Sequence, residues 1–481
     1  RLHNTVQTGF FCTRMGRPEP MQAPFDIAAD LDTPVSAYLK LGDLKPRYLL
    51  ESVEGGERLA RYSFLGFGDA LELRLDDTGL QIGGEHHAAP SDRDAYLDAL
   101  RRAMTMAPVP RPDVPELPFT GGLVGVSGYD VVRLFEKLPQ TTVPQPGIPR
   151  AAFCATSSML VFDHLTRRVA LLHDGPEAER ESLRREVIRL LRGAVPTNGR
   201  AIRIEQAAAG MTPDDYADRV RACKEYIASG DIYQIVISVL FKGRSDVSPF
   251  EVYRALRLLN PSPYMFFFEF GDLRVAGSSP EALVRLHGQT ASLRPIAGTL
   301  PRGATPEEDL KNEQDLLADP KESAEHVMLV DLARNDLGRV ASAGTVRVEP
   351  YRAIERYSHV MHIVSGVQGQ LADTHDAFDL FAASFPAGTL VGAPKVRAME
   401  IIEEMETTGR GLYAGTAGYF GASGDMDQAI TIRTIVFNGD EYSFQAGAGI
   451  VADSVPDKEY REVLAKSAIL RRALEIAGEG L

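Results

Sequence analysis

The stretch 263–294, PYMFFFEFGDLRVAGSSPEALVRLHGQTASLR, decides the fold class. It reads as four strands in succession, at 263–270, 273–277, 282–287 and 290–294, with no helix between them. The same pattern spreads outward. A strand over 232–242 precedes it, and strands over 359–368, 412–420, 426–437 and 442–451 follow. Helical periodicity marks 249–258, 306–319, 320–337, 376–383, 393–405 and 455–477. Strands come in runs and do not alternate singly with helices. That favours an α+β fold with large antiparallel or mixed sheets over a doubly wound parallel sheet.

The first part of the chain is β-rich as well, with strands expected at 47–53, 69–75, 80–83, 121–126, 151–162 and 168–173. A charged helix over 174–192 runs into Arg-Gly-Ala-Val-Pro-Thr-Asn-Gly at 192–199, a cluster of chain breakers. Thr212-Pro-Asp-Asp then opens a helix that should reach Ser229, with a threonine cap, proline at the first position and acids in the first turn. The chain therefore divides near 200, into segments 21–200 and 201–481. Residues 1–20 read as a leader, tag or disordered stretch, because the chain opens with Arg and natural starts are available at Met15 or Met21.

With 481 residues, 44% of them hydrophobic, the chain can bury a large core. A net charge of -14 and a pI near 5.3 disfavour nucleic acid and anionic membrane as partners. No apolar run reaches the length of a transmembrane helix or a signal peptide. The three cysteines, Cys12, Cys154 and Cys223, have no metal-ligand spacing and form no disulfide framework, which fits a reducing cytoplasm.

The last helix carries Glu459, Glu462 and Lys466 on one stripe. Alone, Glu462 and Lys466 would be a solvated i,i+4 pair. A second helix repeats the feature: Glu322 and Glu325 share a face with Leu329 and Leu332. Carboxylates turned toward an apolar face need a cation, and two such pairs suit a hard divalent ion such as magnesium. Gln445-Ala-Gly447-Ala-Gly449 is not a dinucleotide fingerprint, because no helix begins on it. Its glycines instead allow close approach of a carboxylate to backbone. Arg433, expected on a strand, suits bidentate carboxylate binding. The loop Ser384-Phe-Pro-Ala-Gly388-Thr389-Leu-Val-Gly392-Ala-Pro394-Lys395 is rigid enough for ligand contact and is not of Walker type. His359 and His362 fall on opposite faces of a strand, which argues against a paired metal site.

Together these segments closely resemble the chorismate-utilising enzymes, most densely over 212–470. The matching runs include Gly230-Asp-Ile-Tyr-Gln234, Gly277-Ser-Ser-Pro-Glu281, Arg294-Pro-Ile-Ala297-Gly-Thr299, Glu322 to Asp336, His359-Val-Met-His362, Gly388-Thr389 to Lys395, Tyr413-Ala-Gly, Ile432-Arg433-Thr434, Ala446-Gly447-Ala448-Gly449 and Glu459-Tyr-Arg-Glu462. The resemblance implies that family's fold, two large facing β-sheets flanked by helices. Within it the chain is most similar to component I of anthranilate synthases. Members that add water carry a lysine base where Gln234 stands, and ammonia needs no such base. Aminodeoxychorismate synthases often carry a lysine where Ala297 stands. That branch is the nearer alternative; a catalytically silent tryptophan-sensing subunit is a further one.

The resemblance also implies roles. Glu325 and Glu462 would bind Mg²⁺, with Glu322 and Glu459 in its outer shell. Glu281 would be the general acid, with a raised pKa, and His362 would move protons. Tyr413, Arg433, Gly447, Ala448 and Gly449 would hold the enolpyruvyl carboxylate. Thr389, Lys466 and Gln234 would complete the catalytic set, and Thr299 the substrate shell. Leu50, Glu51 and Ser52, facing Pro263, Tyr264 and Met265, resemble a feedback tryptophan pocket, which places regulation largely in 21–200 and catalysis in 201–481. No cysteine lies in the Gly-flanked elbow that a glutaminase requires, so a separate glutamine amidotransferase subunit (component II) is expected to supply ammonia.

Overall fold

The computed structural model describes residues 24–52, 61–196, 202–356 and 360–481. His359, Cys12 and the 1–20 segment lie outside the described residues. In chain order, the elements that position the site are strands β1 (Pro46–Glu51) and β2 (Gly122–Ser127), helix α1 (Pro213–Ala228), strand β3 (Gln234–Arg244), helix α2 (Pro249–Leu259), strands β4 (Tyr264–Phe270), β5 (Leu273–Ser279), β6 (Ala282–His287) and β7 (Ile296–Pro301), helix α3 (Pro320–Gly338), strand β8 (Val360–Val364), helix α4 (Lys395–Met405), strands β9 (Thr416–Gly421), β10 (Met426–Ile430), β11 (Thr434–Asn438) and β12 (Glu441–Ile450), and helix α5 (Pro456–Glu479).

Among the described residues the strands form one hydrogen-bonded sheet of 21 strands and a small sheet of three. The class is α+β, as the runs of strands predict. Hydrogen bonding is continuous through the large sheet. Strands from either side of residue 200 pair directly: β1 with β4, and β2 with β9. The two stretches of sequence thus share one sheet.

β4 explains how the sheet separates two cores. Side chains alternate across a strand. Phe266, Phe268 and Phe270 stack on one another in one apolar cluster, while Met265 and Phe267 enter the other. Burying each such side chain contributes about 1.5–3 kcal/mol, so a one-residue slip of β4 would exchange the two sets at large cost. The helices begin where the caps predict. Thr212 accepts from the Asp215 amide ahead of α1, and Asp319 accepts from the Lys321 and Glu322 amides ahead of α3.

Three differences from the sequence expectation bear on function. The run 426–437 is two strands, because the chain breaks at Thr431–Arg433, where Arg433 takes a left-handed φ of 49°. Arg433 is therefore not on a strand; the break turns it out of the ladder. The run 359–368 is also two short strands, Val360–Val364 and Val367–Gln370. Helices Pro34–Lys40 and Arg93–Met106 form where the sequence reading placed none.

Candidate active site

β3 and β12 pair over a long antiparallel register, with Val236 opposite Gly449 and Ser238 opposite Gly447. Residues opposite one another share a face. Gln234, Val236, Gly447 and Gly449 accordingly border a cavity of about 490 Å³. Ile237 and Ala448, which face each other in the next row, are fully buried in the core. The side chain of Ala448 thus points away from the cavity that Gly447 and Gly449 line. Close approach requires glycine at 447 and leaves little room at 449. A Cβ on Gly447 would stand 2.9 Å from the Ile237 carbonyl and the Tyr413 hydroxyl, and one on Gly449 3.0 Å from Gln234 Nε2.

The cavity gathers Glu281, Thr299, Glu322, Glu325, Thr389, Tyr413, Arg433, Glu459, Glu462 and Lys466 from across the sequence. Glu281 sits at the turn between β5 and β6, its carbonyl accepting from the Ile430 amide. Burial pushes its carboxyl up to about 7, against the opposing effects of the Thr389 hydroxyl and of the Arg433 and Lys466 charges. Thr389 donates to Glu281 Oε1 at 3.0 Å from the turn Gly388–Leu390. Gly388 is fixed by packing there, since a Cβ would fall 1.8 Å from Leu332 Cδ2.

Arg433 donates to Asn260 Oδ1 at 3.2 Å while facing the cavity. His362, on β8, lies behind Thr299. Its Nδ1 is 3.0 Å from Thr299 Oγ1 and 3.0 Å from the Gly298 carbonyl. Burial lowers its pKa, so the imidazole is neutral at pH 7.

The four carboxylates lie on two walls, Glu322 and Glu325 on α3 and Glu459 and Glu462 on α5. Burial, and then the charge of Glu325, raises the pKa of Glu322. Glu325 accepts from Gln234 Nε2 at 3.3 Å, and Glu462 pairs with Lys466 at 2.7 Å. Lys466 also donates to the Gly447 carbonyl at 3.1 Å. Among the described residues, no three His, Cys, Asp or Glu side chains converge to enclose a cation. Carboxylates offered in pairs from two walls fit magnesium, which keeps waters and takes the remaining oxygens from a bound anion.

A second cavity of about 240 Å³ is lined by Leu50, Glu51, Ser52, Pro263, Tyr264 and Met265, together with Arg61, Arg285, Tyr419 and Asp427. Within it Arg285 donates to the Tyr264 hydroxyl at 2.7 Å and to Asp427 at 3.1 Å. Glu51 is turned into an ion pair with Arg257 at 3.1 Å. Among the described residues the buried Ser52 hydroxyl has no hydrogen-bond partner.

Sequence comparison decides the family. The profile described as chorismate binding enzyme matches residues 45–472, nearly the whole described chain. The chain belongs to the chorismate-binding enzymes. It is 45% identical over 471 residues to anthranilate synthase component 1 of Pseudomonas putida, covering 94% of each chain. It is 44% identical to the protein of that name from Thermus thermophilus, over 97% of this chain and 100% of the other. Among solved structures, anthranilate synthase component I from Streptococcus pneumoniae superposes with a TM-score of 0.77 at 36% identity, covering 85% of this chain and 92% of that one. The menaquinone-specific isochorismate synthase of Escherichia coli, at 19% identity and a TM-score of 0.66, shares the fold.

In this chorismate-binding enzyme, Lys321, Ile432 and Gln445 also line the larger cavity. Gln445 begins the glycine run already singled out, and Lys321 stands beside Glu322, so proximity to known motifs could have found both. No helix among the described residues is long and apolar enough to cross a membrane.

Proposed function

We propose that the chain is the synthase component of an anthranilate synthase. It converts chorismate and ammonia to anthranilate, pyruvate and water. The observation that carries this reading is Glu281: a carboxyl held near 7 inside a cavity that also presents Arg433 and four further carboxylates.

In the first step the nitrogen lone pair of ammonia adds at C2 of chorismate. The ring double bonds shift and the C4–O bond breaks. Glu281, protonated, gives its proton to the departing oxygen, which leaves as water. Gln234 at the cavity wall is not basic, which suits a nucleophile that needs no activation. In the second step the C2 proton is removed, the ring becomes aromatic, and the C3–O bond breaks as the enolpyruvyl methylene is protonated to give pyruvate. The neutral imidazole of His362 reaches this region through Thr299 and serves that proton movement. Arg433, Tyr413 and the backbone at Gly447 and Gly449 orient the enolpyruvyl carboxylate.

Glu325 and Glu462 would hold Mg²⁺, with Glu322 and Glu459 on its waters, and the ion when bound would offset the charge of the ring carboxylate. Lys466 would release Glu462 for this purpose and turn to the substrate.

Two further parts belong to the reading. Ammonia comes from a separate glutamine amidotransferase subunit: among the described residues Cys154 and Cys223 are buried with thiols pushed up to about 12, the reverse of an activated nucleophile, and the sequence around Cys12, Phe-Phe-Cys-Thr-Arg, has no Gly-flanked elbow. Tryptophan inhibits from the second cavity, whose aromatic and apolar walls suit an indole and whose Ser52 hydroxyl and Arg61 suit an amino acid's polar end. A reducing cytoplasm suits the buried free thiols of Cys154 and Cys223.

The deciding experiment incubates the chain with chorismate, Mg²⁺ and ammonium and identifies the product by mass. Anthranilate with pyruvate supports the reading; aminodeoxychorismate or isochorismate would overturn it.

A further inference from the structure

Arg410 contacts three residues that line the active-site cavity, Leu390, Val236 and Tyr413. It is 2% exposed, at the chain segment between α4 and β9, and it pairs with Glu406 at 2.7 Å. A buried ion pair is weak evidence for stability, since desolvation offsets most of the attraction. What distinguishes this pair is what its remaining donors hold. Arg410 Nη1 donates to the Leu390 carbonyl at 2.8 Å, and Leu390 directly follows Thr389. Arg410 Nη2 donates to the Val236 carbonyl at 2.7 Å, on the strand that floors the cavity. Its guanidinium carbon stands 5.7 Å from the ring centre of Tyr413. Glu406 in turn accepts from the Ser238 amide and hydroxyl at 2.9 and 2.7 Å. Thus one fork ties together the Thr389 turn, the β3 floor and the Tyr413 wall.

We propose that the Arg410–Glu406 pair is a positioning element for proton donation by Glu281, acting through Leu390 and Thr389. Only a planar fork with several fixed donors reaches both carbonyls and the carboxylate at once. A lysine keeps the charge and can keep Glu406 paired, but it offers one point of attachment. Freed from Leu390, the Thr389 turn would drift from Glu281. Thr389 is the hydrogen-bond donor to that carboxyl, while Arg433 and Lys466 supply the charges that act on it.

This inference rests on Glu281 as the proton donor of the reading above. Its test is Arg410→Lys in the full-length enzyme, followed by chorismate consumption, so that the result is readable whichever product the parent releases. Product identity tests the anthranilate reading separately. We expect kcat to fall by about 10- to 100-fold, the cost of a small misplacement of a reacting group, with KM for chorismate changed far less. Because the Thr389 hydrogen bond favours the ionised carboxyl, its loss raises the pKa of Glu281. The basic limb of the kcat–pH profile should therefore move to higher pH, as is expected for Thr389→Val, and the double variant should move no further. A folded Arg410→Lys enzyme with reduced kcat but an unmoved limb would overturn the proposal, as would additive displacement in the double variant. Should that variant fail to fold, Arg410→Met with Glu406→Gln removes both charges together and is read by the same outcomes.

Discussion

The Thr389 hydroxyl donates to Oε1 of Glu281 at 3.0 Å, and that contact opposes the burial that raises the carboxyl to about 7. A general acid must be protonated to act, so kcat should fall as pH rises through this value. Thr389→Val removes the donor while keeping the volume. The basic limb should move upward by a few tenths of a unit to about one unit, the range of a single hydrogen bond. A kcat–pH profile with a limb at the parental position would remove Thr389 from the control of Glu281.

The same carboxyl should cost the fold stability. Its pKa in the folded chain, about 7, lies above the ordinary 4.5. The folded state therefore binds more protons between these values, and stability is lost as pH rises from 4.5 toward 7. Above that window the deficit is constant, of order 1–3 kcal/mol. Glu281→Gln should be inactive yet more stable at pH 8 than the parent, and no more stable at pH 4. Thermal melts at the two pH values check this, and equal midpoints at pH 8 would contradict the burial of a charged group.

Much of this arrangement was legible in the sequence, for reasons that differ by residue. β4 announces itself because six apolar residues among seven demand two buried faces, and its caps and turns agree. Glu322 and Glu325 were recognisable because a helix puts three-residue spacing on one face. Arg433 was misplaced on a strand, since nothing local shows that the chain breaks at φ 49° to turn its guanidinium toward the cavity. Ala448 was grouped with Gly447 and Gly449, although period-two alternation sends it to the core. Arg410 and Glu406 carried no signal, because an i,i+4 pair reads as a surface helix contact until the third dimension buries it.

Magnesium dependence is the outcome expected from the paired carboxylates. Glu325→Gln or Glu462→Gln should abolish turnover at all Mg²⁺ concentrations while leaving the melting curve nearly unchanged, because each removes a charged ligand from a site offering few. In Glu462→Gln, Lys466 also loses the negative charge it pairs with at 2.7 Å. Calorimetric titration of Mg²⁺ in the presence of chorismate would show the lost site directly. Near-normal turnover in either variant would place the ion elsewhere.

Nitrogen supply is checked with the purified chain alone. It should form anthranilate from ammonium salts, with a rate that rises with pH as free ammonia increases until Glu281 loses its proton. It should not use glutamine, since Cys154 and Cys223 are both buried and Cys12 stands in no Gly-flanked elbow. Glutamine-dependent turnover by the single chain would overturn the need for a partner.

Regulation offers the sharpest separation of sites. β6 carries Arg285 in the second cavity and begins one residue after Glu281, while the loop from Asn260 to Pro263 joins a partner of Arg433 to the wall of the same cavity. Tryptophan bound there can act on the distant site only by preferring a less active arrangement of these elements. Linkage makes the effect reciprocal, so saturating chorismate should weaken tryptophan binding by the factor by which tryptophan weakens chorismate binding, about 5- to 150-fold for ordinary coupling. Ser52→Phe fills the cavity beside Met265 without touching the larger one. It should abolish inhibition and leave turnover without effector intact. Binding and turnover measured on the same preparation decide the matter: a folded, active Ser52→Phe enzyme that tryptophan still inhibits as strongly as the parent would move the effector to another site.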